Sequence, residues 1–296
     1  MKVGRNAKVS HIPEAFESFV ARAWTPEKLK AMKESEILSK LNELGIRTNR
    51  KQFVQEVDGQ IRVDEVSDKW KSRLSRNVDV LDEDFPLLAA QELWNRWVPE
   101  QFSLHRLEEM LIDYLDHDPT QRVLERAWAI WTAIRDHILL PYRFRSFDQF
   151  EDQFHFPYDM HWVIFDSVDD MIRECLYLQD GDPECWDRLF LLFRDIQDHL
   201  TEFQENYGMS FRCSIAEAHF YKGDIDTAES LWKALMEEHP EWVWGYVKWG
   251  DLYHPRRTFA STSNPDEALR LYRLGLDKVS SIRDILEGRI EELTVS

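Results

Sequence analysis

Glycine and proline are scarce in this chain, at 10 and 11 of 296 residues. Sandwiches and barrels need many such residues in their tight connections, so a turn-rich β architecture is disfavoured. Hydrophobic residues make up 43% of the chain and aromatic residues 13%, which supplies a large core and argues against disorder. The composition therefore favours long helices with short connections, and we predict an all-α fold.

Cysteine is scarcer still, with only Cys175, Cys185 and Cys213. Their number is odd and they form no CxxC pair, so we expect no disulfide framework. No run of about 18 apolar residues could span a membrane, and residues 1–16 lack the apolar stretch of a signal peptide. We therefore expect a chain that stays in the reducing cytoplasm and has no membrane partner.

Positive charge is the minority sign, since 37 Lys and Arg stand against 55 Asp and Glu for a net charge of −18. The charge is unevenly distributed, because residues 1–51 carry +5 and residues 52–296 carry −23. An acidic body repels phosphate backbones, so we do not expect nucleic acid to be a partner. The basic amino-terminal arm at 1–51 is better suited to an acidic partner.

Short catalytic and ligand-binding motifs are absent as well. The chain has no GxxxxGK, GxGxxG, GxSxG or HExxH segment. Its ten histidines include no i, i+4 pair with an acid placed to assist a metal ion. The sequence thus predicts no catalytic residue, no cofactor and no metal site.

Helix starts are marked by a polar residue followed by proline, because the polar side chain caps the helix and proline fits its first turn. Four such pairs occur: Thr25-Pro26, Asp118-Pro119, Asp182-Pro183 and Asn264-Pro265. Each opens a run with apolar residues at helical spacing. Further helices are predicted near 49–57, 64–75, 86–98, 103–117, 147–154, 159–178, 210–222 and 281–293.

Tryptophans recur at apolar positions of these helices, where a large ring fills the space between neighbouring helices. We predict that seven of them are core residues: Trp94, Trp97, Trp128, Trp131, Trp162, Trp186 and Trp232.

An internal repeat is visible near the carboxyl end. Small, turn-forming and aromatic residues occur there at the offsets of a helical hairpin repeat: Ala216, Gly223, Ala228, Trp232 and Pro240. The next unit begins 34 residues on, where Tyr246, Trp249, Gly250 and Tyr253 follow a W-x-x-L-G-x-x-Y pattern with aromatic substitutions. Its second helix carries Ala268 and Tyr272, so the hairpin turn HPRRTFASTSNP is enlarged by six residues.

These residues make the chain resemble tetratricopeptide-repeat (TPR) proteins over 209–277, with 281–293 resembling a capping helix. The segments LSKLNELGI, AAQELWNRWVPEQFSLHRLEEMLIDYL and WGYVKWGDLY also resemble the helical body of bacterial proteins associated with the SEC-C motif. The zinc-binding SEC-C tail is missing, since the chain ends in RIEELTVS. The resemblance implies stacked antiparallel helical hairpins that form a right-handed superhelix in the carboxyl-terminal part. We predict an irregular helical region at 1–208, followed at 209–296 by two TPR-like repeats and a capping helix.

In TPR proteins the inner helices line a concave groove that receives peptides, and the resemblance implies such a groove here. The candidate partner-binding residues on the corresponding face are Glu217, Phe220, Tyr221, Trp244, Val247 and Asp251. Aromatic walls and acids suit a protein or peptide segment with apolar and basic residues. The alternative is a groove covered by residues 1–208 or by the enlarged loop.

A second hypothesis from another class is an enzyme or small-molecule binder with its site around 143–162. This stretch holds several polar groups that would converge on such a site: Arg143, Arg145, His155, Tyr158 and His161. Their spacing names no reaction, and a surface segment that packs its own aromatic residues explains them better. A deep, apolar-walled pocket with a ligand or a strongly perturbed titrating group in this region would favour the enzyme hypothesis, and a filled core would remove it.

Overall fold

The computed structural model describes residues 22–74, 78–116, 122–165, 167–178, 182–202, 205–260 and 263–294. Within these ranges the chain is helical and contains no strand, which confirms the all-α prediction. The helices are α1 (Pro26–Ala31), α2 (Glu34–Glu43), α3 (Arg50–Val57), α4 (Val63–Lys71), α5 (Phe85–Trp97), α6 (Leu104–Asp116), α7 (Val123–Ile134, continued by a π-helical segment Arg135–Leu139 and by Leu140–Tyr142), α8 (Phe147–Phe154), α9 (Met160–Phe165), α10 (Val168–Leu178), α11 (Cys185–His199), α12 (Glu205–Lys222), α13 (Ile225–Glu238), α14 (Val243–Asp251), α15 (Pro265–Lys278) and α16 (Arg283–Thr294).

The chain divides into two compact units, residues 1–111 and 112–296. The repeat-like segment 209–296 is part of the second unit, and α12 extends across its proposed start. The division at 208 into an irregular region and a repeat region stays a prediction.

The first unit has an aromatic core. Phe53 lies at its centre, with ring centroids of Trp70, Trp94 and Trp97 at 5.8, 6.4 and 5.4 Å. The buried indole N–H of Trp70 donates to a carboxylate oxygen of Glu56 at 2.9 Å. Rings of this size remove much apolar surface from water, and the N–H keeps a hydrogen-bond partner.

Two of the four predicted helix starts have the expected cap. The Thr25 hydroxyl accepts from the backbone N–H of Lys28 at 3.3 Å, and the Asn264 side chain accepts from the N–H of Glu267 at 3.1 Å. The pair Asp118-Pro119 lies outside the described residues. Pro183 falls in the turn before α11, which begins at Cys185.

The second unit contains successive helical hairpins, α10–α11, α12–α13 and α14–α15, and each hairpin packs on the next. Alternate helices also meet, since α10 contacts α12, α12 contacts α14, and α14 contacts α16. The single helix predicted at 159–178 is two helices in the structure, α9 and α10. The right-handed superhelix stays a prediction.

The repeat positions are packed as such hairpins require. Ala216 and Ala228 are buried between α12 and α13, and Gly223 has φ +94° in the turn that joins them. A Cβ atom on Gly250 would clash with the ring of Tyr272, so only glycine allows α14 and α15 to approach so closely. Trp232 of the first repeat and Trp249 of the second stack with ring centroids 6.1 Å apart.

Two further expectations are corrected here. Trp162 was expected in the core but is 51% exposed, because α9 turns this residue outward while His161 and Val163 face inward. Cys175 in α10 and Cys185 in α11 form a disulfide, with Cα atoms 5.3 Å apart. The hairpin brings together two cysteines whose spacing in the sequence suggested no bond.

Candidate functional site

The six candidate groove residues lie on two neighbouring helices of the second unit. Glu217, Phe220 and Tyr221 belong to α12, and Trp244, Val247 and Asp251 belong to α14. Helices α12 and α14 contact each other, so the sequence assigned these residues to adjacent elements correctly. Their side chains nevertheless differ in burial and in the contacts they make.

Phe220 and Val247 are packing residues. Phe220 is 7% exposed and meets the ring of Tyr253 edge-on at 5.0 Å, and Val247 is 2% exposed. Both belong to one apolar cluster that also includes Trp232. They support the candidate face from beneath and offer a partner little surface.

Asp251 is committed to structural contacts. Its carboxylate accepts from the hydroxyl of Tyr272 at 2.6 Å and from the guanidinium of Arg289 at 2.9 Å, and it lies 3.9 Å from Arg257. These contacts join α14 to α15, α16 and the enlarged loop. A change at Asp251 would therefore disturb the fold as well as any partner.

Tyr221 lies under the enlarged loop. Its ring stacks on Phe259 of that loop at 5.4 Å, and its hydroxyl accepts from the backbone N–H of Phe259 at 3.3 Å. The guanidinium of Arg173 in α10 lies 4.3 Å from the centre of the Phe259 ring. The loop thus contacts this end of the face, and whether the groove is open or covered stays a prediction.

Trp244 is the candidate with a free aromatic surface, since it is 46% exposed. Lys248 follows four residues later, so both side chains project from one side of α14. The Lys248 Nζ atom lies 3.4 Å from an oxygen of Glu217 on α12, and the two side chains are 36% and 9% exposed. The open part of the face is therefore one large ring beside a half-hidden ion pair.

The electrostatics of this pair are strongly perturbed. Burial raises the pKa of Glu217 to about 7, and Lys248 opposes that shift while Asp169 adds to it. Burial lowers the pKa of Lys248, but Glu217 and other nearby acids outweigh burial, so the pKa of Lys248 is raised overall. Below Glu217 the thiol of Cys213 is fully buried, and burial also raises its pKa.

Sequence reasoning missed Lys248. A helical wheel places it near Trp244, on the same side of α14, so the signal was present. Its significance depends on Glu217, which is 31 residues away in the sequence and meets Lys248 only because the two helices pack.

The five residues named in the segment 143–162 do not converge on one site. Arg143 and His155 are exposed residues that end helices with φ of +59° and +50°, and Arg145 is exposed too. Tyr158 packs on Phe156 at 5.7 Å. Among these five residues, His161 is the one that faces other titratable side chains.

The groups around His161 are acidic. Glu151 from α8, Asp159 and His161 each offer one ligand atom, and these three atoms lie within 4.8 Å of one another. Asp148 of α8 also approaches, with a carboxylate oxygen 3.9 Å from His161 Nδ1. Sequence reasoning missed the acids because their position against His161 depends on the corner between α8 and α9, which helical periodicity does not describe.

Titration in this cluster is perturbed as well. Burial raises the pKa of Glu151 to about 7, and the neighbouring acids Asp159 and Asp148 add to the shift. Burial lowers the pKa of His161, although Asp148 and Asp159 oppose that change. At neutral pH the imidazole is therefore uncharged, and a ring nitrogen is available as a ligand.

No family model, no curated protein and no solved structure matches this chain. The resemblance to TPR proteins and to SEC-C-associated proteins therefore stays a prediction from the residues. Among the described residues, no helix has both the length and the apolar character needed to cross a membrane.

Proposed function

We propose that the chain is a non-catalytic binding module that holds a segment of a partner protein on the α12–α14 face. The observation that carries the proposal is Trp244, which is nearly half exposed and lies one helical turn before Lys248 of the Glu217–Lys248 pair. The proposal includes the TPR-like character of the repeats and a cytoplasmic location, where Cys175 and Cys185 would be kept as thiols.

An exposed tryptophan on the same side of a helix as a buried ion pair has the composition of a binding hot spot. Trp is the residue type most enriched at such positions, because one ring buries a large apolar area with few rotatable bonds. Phe220 and Val247 belong to the packed cluster on which α12 and α14 rest, so the helix that carries Trp244 needs little further ordering on binding. An apolar side chain of the partner would cover the Trp244 ring.

The ion pair supplies the polar part of recognition. Removing a carboxylate and an ammonium from water is unfavourable, and an apolar pair of similar size is often as stable. A buried pair on an otherwise open face is therefore a candidate for recognition rather than for stability. Asp169 adds negative charge close by, so a basic side chain from the partner would be favoured beside Glu217.

The test is selection from a displayed library of random peptides on the immobilised full-length chain, followed by affinity measurement with the synthesised winners. We expect enriched peptides to combine an apolar anchor with Lys or Arg. Trp244→Ala should weaken binding at least about tenfold, as expected for loss of a hot-spot ring. Affinity should also fall as salt is raised, because the polar contacts are ionic.

Trp162→Ala is the matched control, because Trp162 is the same residue type with a similar exposure of 51% on α9. It should bind the selected peptides as tightly as the unchanged protein. Circular dichroism and melting should be unchanged for both variants. Equal binding by the Trp244 and Trp162 variants would remove the α12–α14 face as the binding site. Asp251 is avoided as a test position, since it holds Tyr272 and Arg289.

A further inference from the structure

The cluster at the α8–α9 corner has the composition of a metal site. Glu151, Asp159 and His161 contribute two carboxylates and one imidazole whose ligand atoms lie within 4.8 Å of one another. Asp148 offers a third carboxylate at the same corner. Like charges at this distance repel, and a cation bound between them would relieve that repulsion.

His161 is the buried member of this cluster, at 2% exposure. Its Nδ1 atom faces the acids, 3.9 Å from Asp148 and 3.9 Å from Asp159, which is too far for a hydrogen bond. A buried imidazole therefore faces two carboxylates without a direct hydrogen bond to either. The other ring nitrogen, Nε2, is also without a hydrogen-bond partner.

The ring is held in one orientation. It stacks on Tyr207 of α12 with centroids 4.2 Å apart and planes 11° apart, and it meets Phe147 edge-on at 5.1 Å. Either tautomer leaves one ring nitrogen with a lone pair. A lone pair on Nδ1 would face two carboxylates, which is unfavourable unless a cation separates them.

The carboxylates are oriented by contacts that leave lone pairs free. One oxygen of Asp159 accepts from the backbone N–H of Trp162 at 2.9 Å, and the other accepts from the Tyr207 hydroxyl at 3.2 Å. Glu151 accepts from the N–H of Met160 at 2.8 Å. Hydrogen bonds of this kind position metal ligands and raise their affinity for the ion.

We propose that Glu151, Asp159 and His161, with Asp148 as a possible fourth ligand, bind a divalent transition-metal ion. One imidazole and two or three carboxylates suit Zn²⁺ best, since Zn²⁺ takes both nitrogen and oxygen donors, whereas Mg²⁺ and Ca²⁺ prefer oxygen alone. Ligand atoms around tetrahedral Zn²⁺ lie roughly 3.4 Å apart, so small rotations of the carboxylates would close the cluster. This proposal is independent of the binding face.

The test uses the full-length chain after treatment with a chelator, titrated with Zn²⁺ in a calorimeter. We expect a single saturable site per chain and a higher melting temperature in the presence of the ion. Asp159→Asn should weaken Zn²⁺ binding at least roughly tenfold, because it removes a charged ligand from an exposed position. His161→Gln should weaken it similarly, and the ring nitrogens of His161 should shift in NMR spectra when Zn²⁺ is added.

Asp152→Asn is the matched control. Asp152 is exposed on the same helix, α8, and adds to the negative field at Glu151, but it is not a member of the cluster. The variant removes one charge without removing a ligand, so Zn²⁺ affinity should stay close to that of the unchanged chain. An equal loss in the Asp152 and Asp159 variants would overturn the proposal in favour of general electrostatic attraction.

Two other results would also overturn it. One is Zn²⁺ binding that is the same in the unchanged chain and in both ligand variants, which would place the ion elsewhere on the surface. The other is binding of Ca²⁺ or Mg²⁺ as tight as that of Zn²⁺ with no effect of His161→Gln, which would leave the imidazole without a function as a ligand.

Discussion

Each of the two units buries a titratable group with a strongly shifted pKa. In residues 1–111 this is His105, which is 8% exposed, hydrogen-bonds Ser103 at 2.8 Å and lies against Trp94. In residues 112–296 it is Glu217, 7% exposed beside Lys248, and the imidazoles of His161 and His254 are buried there as well. His105 is a neutral base inside aromatic packing, whereas Glu217 is an acid with a charged partner.

This difference separates packing from recognition. His105 lies among the rings of the core, and its pKa is lowered by burial and by the charge of Arg106. Glu217 is just as buried, but its partner Lys248 is 36% exposed, so the pair reaches the surface through Lys248. A shifted pKa is informative about function only when the surface around it is open.

The largest expected effects concern the aromatic cores. Trp94→Ala in the first unit and Trp232→Ala in the second each remove a fully buried ring. Each should lower the free energy of unfolding by about 3–5 kcal/mol, the usual range for a large ring replaced by alanine. Chemical denaturation of the full-length chain checks both. A much smaller loss for Trp232 would mean that the second unit repacks around the missing ring and the first unit does not. The indole N–H of Trp232 also has no hydrogen-bond partner.

His105 and Glu217 should respond to pH in opposite directions. Burial, followed by the charge of Arg106, lowers the pKa of His105 to about 4, so the folded state binds fewer protons than the unfolded state between about pH 4 and 6.5. This contribution to stability is complete above the unfolded pKa and is lost as the pH falls, by about 3 kcal/mol in total. His105→Gln should remove that acid sensitivity.

For Glu217 the sign is reversed. The folded state keeps its proton up to about pH 7 and the unfolded state loses it near 4.5, so stability is lost as the pH rises through that window. The total is again about 3 kcal/mol. Glu217→Gln should remove this alkaline-side loss while leaving the acid side unchanged. Urea titrations from pH 4 to 8 on both variants and the unchanged chain measure the two slopes, and slopes of the same sign would contradict the comparison.

The smallest expected effects concern the loss of one helix cap in each unit. Thr25→Ala and Asn264→Ala each remove a side-chain acceptor for a first-turn N–H. Each should cost about 1 kcal/mol of unfolding free energy. Melting of the two variants checks this, with Thr25→Ser and Asn264→Asp as variants that keep the cap and should melt like the unchanged chain.

Much of the fold follows from local signals. Helical spacing of apolar residues, the Thr25 and Asn264 caps and the small residues Ala216 and Gly250 predict the elements and their closest approaches. These signals act within one or two turns of chain, so they can be read directly from the sequence.

The sites depend on long-range contacts and were predicted only in part. Trp244 was identified because helical phase places it on an outer face. The contacts of Asp251 with Arg289, which is 38 residues away, could not be inferred from phase alone. The meeting of Glu151 with His161 depends on the corner between α8 and α9, which no periodicity describes.

The bond between Cys175 and Cys185 gives the chain a built-in reporter of motion. Both sulfur-bearing residues are buried, so a reductant can reach the bond only when the α10–α11 hairpin opens. The rate of disulfide reduction under native conditions therefore measures how often the α10–α11 hairpin opens. A sample kept with a thiol reductant and a sample kept without one have the same sequence but different covalent structures. The time needed to convert the oxidised sample into the reduced one measures how often α10 and α11 separate.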